Sequence, residues 1–145
     1  MQQIDARSPR FGAAITTLVL AVSLIVGPGA LGTVLIAWQV VAFAFGSIVG
    51  PSAQPYGRLY AAVVKPRLRG PVPLEPAAPP RFAQTVGLVF AILGLLGALL
   101  GQGSVFSVAV GLALAAAFLN AAFDFCLGCE LYLRVQRLRG AVRPA

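Results

Sequence analysis

Phe82-Ala83-Gln84-Thr85-Val86-Gly87-Leu88-Val89-Phe90-Ala91-Ile92-Leu93-Gly94-Leu95-Leu96-Gly97-Ala98-Leu99-Leu100 contains no charged residue. As a helix rising about 1.5 Å per residue it would cross about 30 Å, the thickness of a bilayer's hydrocarbon layer. Three more apolar stretches accompany it, roughly Phe11 to Val26, Leu31 to Val49 and Val105 to Phe125. All 11 basic residues lie outside these four stretches. Arg7 and Arg10 precede the first. Arg58, Lys65, Arg67, Arg69 and Arg81 separate the second from the third, and Arg134, Arg137, Arg139 and Arg143 follow the fourth. The links Gly27–Ala30 and Gly101–Ser104 carry no charge.

Four spans place both termini on one side, and basic residues in short loops are retained in the cytoplasm during insertion. The expectation is an all-α polytopic membrane protein of four transmembrane helices, about 11–26, 31–49, 82–100 and 105–125. It forms a single membrane domain, with a Pro-rich cytoplasmic connector at 50–81 and a basic cytoplasmic tail at 131–145. Composition agrees: 59% of residues are hydrophobic and 10% charged, against about 25% charged in an ordinary soluble domain. The net charge of +7 is spread over three juxtamembrane segments without interleaved aromatic residues. It therefore points to retention signals and anionic headgroups and away from nucleic acid. Arg7, Arg10 and the first apolar run also fit a signal peptide. Another full span follows at once, so an uncleaved first helix is expected.

The chain reads as a duplication. Pro9-Arg10-Phe11-Gly12 opens one hairpin and Pro80-Arg81-Phe82-Ala83 the other, while Ala42-Phe43-Ala44-Phe45 resembles Ala122-Phe123-Asp124-Phe125. Both halves enter from the same side, which makes two parallel-repeat hairpins. Between them stand Pro51, Pro55, Pro66, Pro71, Pro73, Pro76, Pro79 and Pro80, a density that forbids a continuous helix. Tyr56 to Val64 is expected to lie on the membrane with Tyr56 and Tyr60 at headgroup depth, and Arg67 to Pro80 to form an extended strap. Gly97 with Gly101 and Gly111 with Ala115 have the four-residue spacing that brings helix backbones close. Gln39, beside Trp38, reads as an interhelical hydrogen bond.

Chemistry concentrates in Asn120-Ala121-Ala122-Phe123-Asp124-Phe125-Cys126-Leu127-Gly128-Cys129-Glu130, which holds both cysteines. On a continuous helix Cys126, Cys129 and Glu130 share one face, whereas Asp124 points away and pairs with Asn120 one turn earlier. The dithiol would then lie at a helix C-terminus beside Glu130, a setting that disfavours a thiolate. Arg134, one turn on, would offset Glu130. Three readings stay open. The pair could be a redox or persulfide-forming dithiol, with a permanent disulfide disfavoured in a reducing cytoplasm. It could be half of a thiolate metal site, needing a second chain, Asp124 or Glu130 to complete it, in a chain without histidine. Or it could be two inert cysteines packed as small hydrophobes.

Ile4-Asp5-x-Arg7-x-Pro9-Arg10-Phe11, the paired Pro-Arg-Phe and above all Phe125-Cys126-Leu127-Gly128-Cys129-Glu130-Leu131-Tyr132 resemble the bacterial membrane family known as domain of unknown function 4395, common in actinobacteria. The resemblance covers nearly the whole chain and implies a small multi-pass protein of the bacterial plasma (inner) membrane. It further implies an association with thioredoxin-like or sulfurtransferase (rhodanese-like) proteins. It supplies no established catalytic residues. The leading expectation is thus a membrane-bound thiol partner in which Cys126 and Cys129 exchange electrons or sulfur, Glu130 modulates the local charge and Asp124 relays a proton. No cofactor or metal is called for. The alternative is a non-enzymatic accessory or scaffold subunit of a membrane complex or homo-oligomer. A weaker third is a transporter with Gln39, Asn120 and Asp124 along its path.

Overall fold

The computed structural model describes residues 2–142; Arg143, assigned above to the basic tail, lies outside them. Four long helices form the bundle: α1 (Ser8–Val26), α2 (Ala30–Ala44), α4 (Ala78–Leu99) and α5 (Gly103–Phe123). A π-type turn, Phe45–Val49, extends α2, so that Ala30–Val49 is one span. The connector holds α3 (Pro55–Leu59), which runs on through a π turn at Tyr60–Val64. After Asp124 the chain forms α6 (Leu127–Val142), where only a tail was expected. Two short strands, β1 (Gln3–Asp5) and β2 (Leu74–Pro76), pair antiparallel with Ile4 opposite Glu75.

The helices start earlier than hydropathy alone indicates, because proline favours the first helical turn, where its missing N–H breaks no bond. Pro9 sits there in α1, and Pro79 and Pro80 in α4. The two hairpin turns depend on glycines with positive φ, Gly27 at 76° and Gly101 at 70°. Conformations of this kind strain residues bearing a Cβ. Around the bundle α1 packs on α2 and α5, and α4 packs on the same two helices. Leu20, Ile36, Phe43, Ala91, Phe106 and Val110 fill the centre. Leu18, Ile25, Val34, Val108 and Phe118 point outward and are exposed. In each span's most apolar window only 17% to 33% of residues are buried within the protein. So broad an apolar exterior requires an apolar solvent. The chain is an all-α polytopic membrane protein.

Small residues set the helix spacing, and of those the four-residue pattern selected Gly97 is the one in close contact, joined by Gly87 and Gly94. A Cβ on Gly87 would stand 2.8 Å from the Phe43 ring, one on Gly94 3.0 Å from Val110, and one on Gly97 2.6 Å from the backbone nitrogen of Phe106. Gly101 belongs to the turn, and Gly111 faces open space.

The two Pro-Arg-Phe segments occupy equivalent places. Arg10 of α1 donates from Nε to the carbonyl of Ala121 in α5 at 3.0 Å. Arg81 of α4 donates to the carbonyls of Ser47 and Ile48 at the end of the α2 span, at 2.8 and 2.7 Å. Each arginine thereby satisfies carbonyls that a helix end leaves without an intrahelical donor, and each serves the other hairpin. The Ala42–Phe45 and Ala122–Phe125 segments are not equivalent in this way. The first ends four residues before its span does, and the second straddles the end of α5.

The connector dips into the bundle. Tyr56 and Tyr60 are 5% and 3% exposed, which corrects their expected place among headgroups. The Tyr56 hydroxyl donates to Oε1 of Gln39 and accepts from Nε1 of Trp38, both at 2.9 Å, while Nε2 of Gln39 donates to Thr16 at 3.3 Å. Gln39 is thus the expected interhelical bridge, with partners from both the first helix and the connector. Tyr60 donates to Oδ2 of Asp5 at 3.0 Å, and Arg7 grips both Asp5 oxygens. The Arg7 hydrogen bonds hold the Asp5 carboxyl down at a pKa of about 2, against the opposing effect of burial.

Valine in place of Gly97 should lower the unfolding free energy in detergent by about 1–3 kcal/mol, since its side chain would strike backbone on α5. Because the Asp5 pKa is lowered on folding, its stabilising contribution is complete above the unfolded value of 3.8 and declines as the pH falls towards 2. Acid unfolding of wild type should therefore be steeper in that window than that of Asp5→Asn, followed by circular dichroism.

Candidate functional site

The end of α5 decides how the cysteines are placed. Asp124 adopts the left-handed conformation, φ 54° and ψ 30°, and its N–H and that of Phe125 both turn back to the carbonyl of Leu119. Asp can enter this region at modest cost, and such a residue is a common way to finish a helix. The fourth helix therefore does not continue through the dithiol. A new helix begins at Leu127, with Cys126 as the residue that caps it. The Cys126 carbonyl accepts the first helical bond, from Glu130 at 3.0 Å. Its sulfur accepts the N–H of Cys129 at 3.2 Å. Sulfur here takes the part that a serine or aspartate oxygen usually plays at a helix start.

This overturns the expectation of a dithiol at a helix C-terminus. The pair sits in the first turn of α6, where peptide dipoles present their positive end. Cys126 and Cys129 lie at disulfide distance, with Cα atoms 5.2 Å apart, inside the span of about 4.4–6.8 Å that a bridge accommodates. Both residues are partly exposed. Glu130 is exposed in the same turn, and no ion pair joins it to Arg134 among the described residues. Asp124 is exposed at the break, and its side chain makes no hydrogen bond to Asn120. The Asn120–Asp124 pairing assumed a helix continuing past Phe123 and is absent because α5 ends there, whereas Glu130 and Arg134 stand one turn apart within α6 and still do not pair. Among the described residues no three Cys, Asp or Glu side chains converge on one point.

Helix α6 is seated on α4. Gly128 lies so close that a Cβ there would be 2.6 Å from the Cα of Ala83, and the rings of Phe82 and Tyr132 are 5.7 Å apart. Glu75 on β2 is partly buried. Burial pushes its carboxyl above the ordinary range, and the charges of Asp124 and then Asp5 add to the effect.

Below the dithiol lies a cavity of about 280 Å³ that sequence reading did not anticipate. Cys126, Leu127 and Gly128 line one end, Phe43, Phe90 and Leu112 lie deeper, and the polar lining comes from Thr16, Gln84 and Asn120. Among the described residues no charged one borders it. Its elements come from both hairpins and from α6, so no local sequence pattern could have shown it. The apolar walls are indistinguishable in composition from the lipid-facing surface.

Fold and site together define a small multi-pass membrane protein with a cysteine pair at a helix start above a neutral cavity. The family model described as domain of unknown function (DUF4395) matches residues 4–137, and the chain belongs to that family. No curated protein and no solved structure matches it.

The contact of Gly128 with Ala83 gives the site a direct test. Gly128→Val should push the start of α6 off α4, lowering stability by about 1–3 kcal/mol and speeding alkylation of the reduced cysteines by maleimide. An unchanged alkylation rate would show that the seat does not position the pair.

Proposed function

We propose that this protein is a thiol–disulfide exchanger of the bacterial inner membrane. Its Cys126–Cys129 pair faces the cytoplasm and works with a thioredoxin-like or rhodanese-like partner. The observation that carries this reading is the hydrogen bond from the Cys129 N–H to the Cys126 sulfur in the first turn of α6. A helix N-terminus with an N–H aimed at sulfur stabilises a thiolate, the reactive form in exchange. Orientation rests on the basic residues: those among the described ones flank the connector end of the bundle, and such residues are retained in the cytoplasm.

In the reduced state the Cys126 thiolate attacks a disulfide of the partner. One partner sulfur leaves as thiolate and a mixed disulfide forms on Cys126. Cys129, once deprotonated, attacks the Cys126 sulfur, closes the intramolecular disulfide and releases the second partner thiolate. Two electrons pass to the partner, and the reverse sequence returns them. Exposed Asp124 and Glu130, on either side of the pair, are suited to accept the Cys129 proton and to set the local charge. Transfer of a sulfane sulfur to Cys126 as a persulfide uses the same nucleophile.

Cys129→Ser should trap a partner as a mixed disulfide on Cys126, visible on non-reducing gels of rapidly acid-quenched cells, whereas Cys126→Ser should trap far less. If replacing both cysteines leaves every partner and the cellular phenotype unchanged, the proposal is wrong. One feature favours the scaffold reading instead: among the described residues nothing lies within 4 Å of where a Cβ on Gly111 of α5 would stand. That reading requires co-purification with a membrane partner that survives both reduction and loss of the cysteines.

A further inference from the structure

We infer that the cavity beneath Cys126 receives the ring of a lipid-soluble quinone, which exchanges two electrons and two protons with the Cys126–Cys129 pair. This deepens the dithiol reading above and rests on it. The reasoning begins with position. The cavity reaches from Cys126 past Asn120 to Leu112, and the eight-residue separation along α5 amounts to about 12 Å at 1.5 Å per residue. It therefore runs from the connector end of the bundle towards the middle of the bilayer, a depth from which a lipid-dissolved molecule can enter and a water-soluble one gains little.

The lining selects among such molecules. With no charged residue at its border among the described residues, the cavity does not suit thiosulfate, phosphate or another anion, whose desolvation would go uncompensated. Phe43 and Phe90 provide flat apolar contact. Two side-chain amides are available as donors. Gln84 accepts from Gln54 through Oε1 at 3.3 Å, and among the described residues neither its Nε2 nor the Asn120 amide has a hydrogen-bond partner. Sparse donors in an apolar pocket fit a neutral ligand with carbonyl acceptors. A volume of about 280 Å³ is near the low end of the usual range of about 300–1,000 Å³ for ligand pockets. That suits one or two fused rings with any tail left in lipid.

Chemistry supplies the last constraint. Closing the disulfide breaks two S–H bonds, forms one S–S bond and releases two electrons and two protons. A quinone takes up that number of each as its two carbonyl oxygens become hydroxyls, so the couple balances without another reactant. The pair would then link the quinone pool to the cytoplasmic thiol partner.

The test uses the full-length protein in nanodiscs, reduced and freed of reductant under nitrogen. The probe is duroquinone, whose ring carbons are all substituted and so resist addition by thiols. Thiol loss is followed by alkylation, quinone reduction by absorbance, and exchange with glutathione disulfide is measured in parallel. Wild type should reduce one quinone per cysteine pair at a rate that saturates with quinone. Ala116→Phe, which fills the cavity, and Asn120→Leu, which removes a donor, should each slow the reaction by about tenfold or more. Both should exchange with glutathione disulfide as wild type does, since that reaction needs only the exposed sulfurs. Should Ala116→Phe fail to fold, Asn120→Leu decides alone. Quinone reduction that is absent, or that stays linear in quinone and equal in both variants, overturns the inference. If glutathione exchange persists in that case, the dithiol reading stands; if it too is absent, both fall.

Discussion

Helices that meet inside a bilayer gain nothing from hiding apolar surface, because lipid tails are as apolar as leucine. What holds them is close contact and satisfied polarity. The close contact comes from α4, where Gly87, Gly94 and Gly97 admit the Phe43 ring, Val110 and the backbone at Phe106. Contacts at these distances gather many small dispersion terms that a larger residue would forfeit. The polarity is handled at Gln39, fully buried and bonded to Thr16 and Tyr56. A polar group left unpaired there would cost about 1–3 kcal/mol, and among the described residues no buried side-chain polar atom lacks a partner.

Those two requirements explain why the connector is part of the bundle. A link between two hairpins could pass entirely over the membrane surface. Here Tyr56 descends to complete the Gln39 bridge, and Tyr60 is pinned by Asp5, which Arg7 holds in place. The strand pair of residues 3–5 and 74–76 then fastens the N-terminal segment to the far end of the connector. The entry to α4 is thereby fixed, and with it Ala83, on which the first turn of α6 rests. A chain of contacts runs from β1 through the connector and α4 to the first turn of α6.

The spans were legible because hydropathy is a property of each stretch taken alone, and the basic residues sorted themselves to one end. Gln39 was legible as a bridge, since a lone amide in hydrocarbon needs a partner, although nothing local identified Tyr56. The cysteines were legible as residues and illegible as a site. Cysteine is not among the usual capping residues, so Cys126 gave no sign of starting a helix, and Asp124 looked like a helical residue in an apolar run. Assuming continuity there reversed the end of the helix dipole assigned to the pair. The cavity was hidden more deeply, because it is made by packing between elements far apart in the chain.

The exchange of arginines bears on where the site can lie. Arg10 closes the last helix of the second hairpin and Arg81 the last helix of the first, which is the self-complementary pattern of two identical hairpins joined as a symmetric dimer. In such a dimer any change in one copy is made in both, so a helix end that breaks must break twice. A single chain is free of that obligation and keeps the mutual contact. The two ends differ in form: one widens into a π turn and feeds the connector, and the other halts at Asp124 and opens into a helix capped by sulfur. The reciprocal contact ties the two hairpins together, and the cysteines lie at the end where they differ.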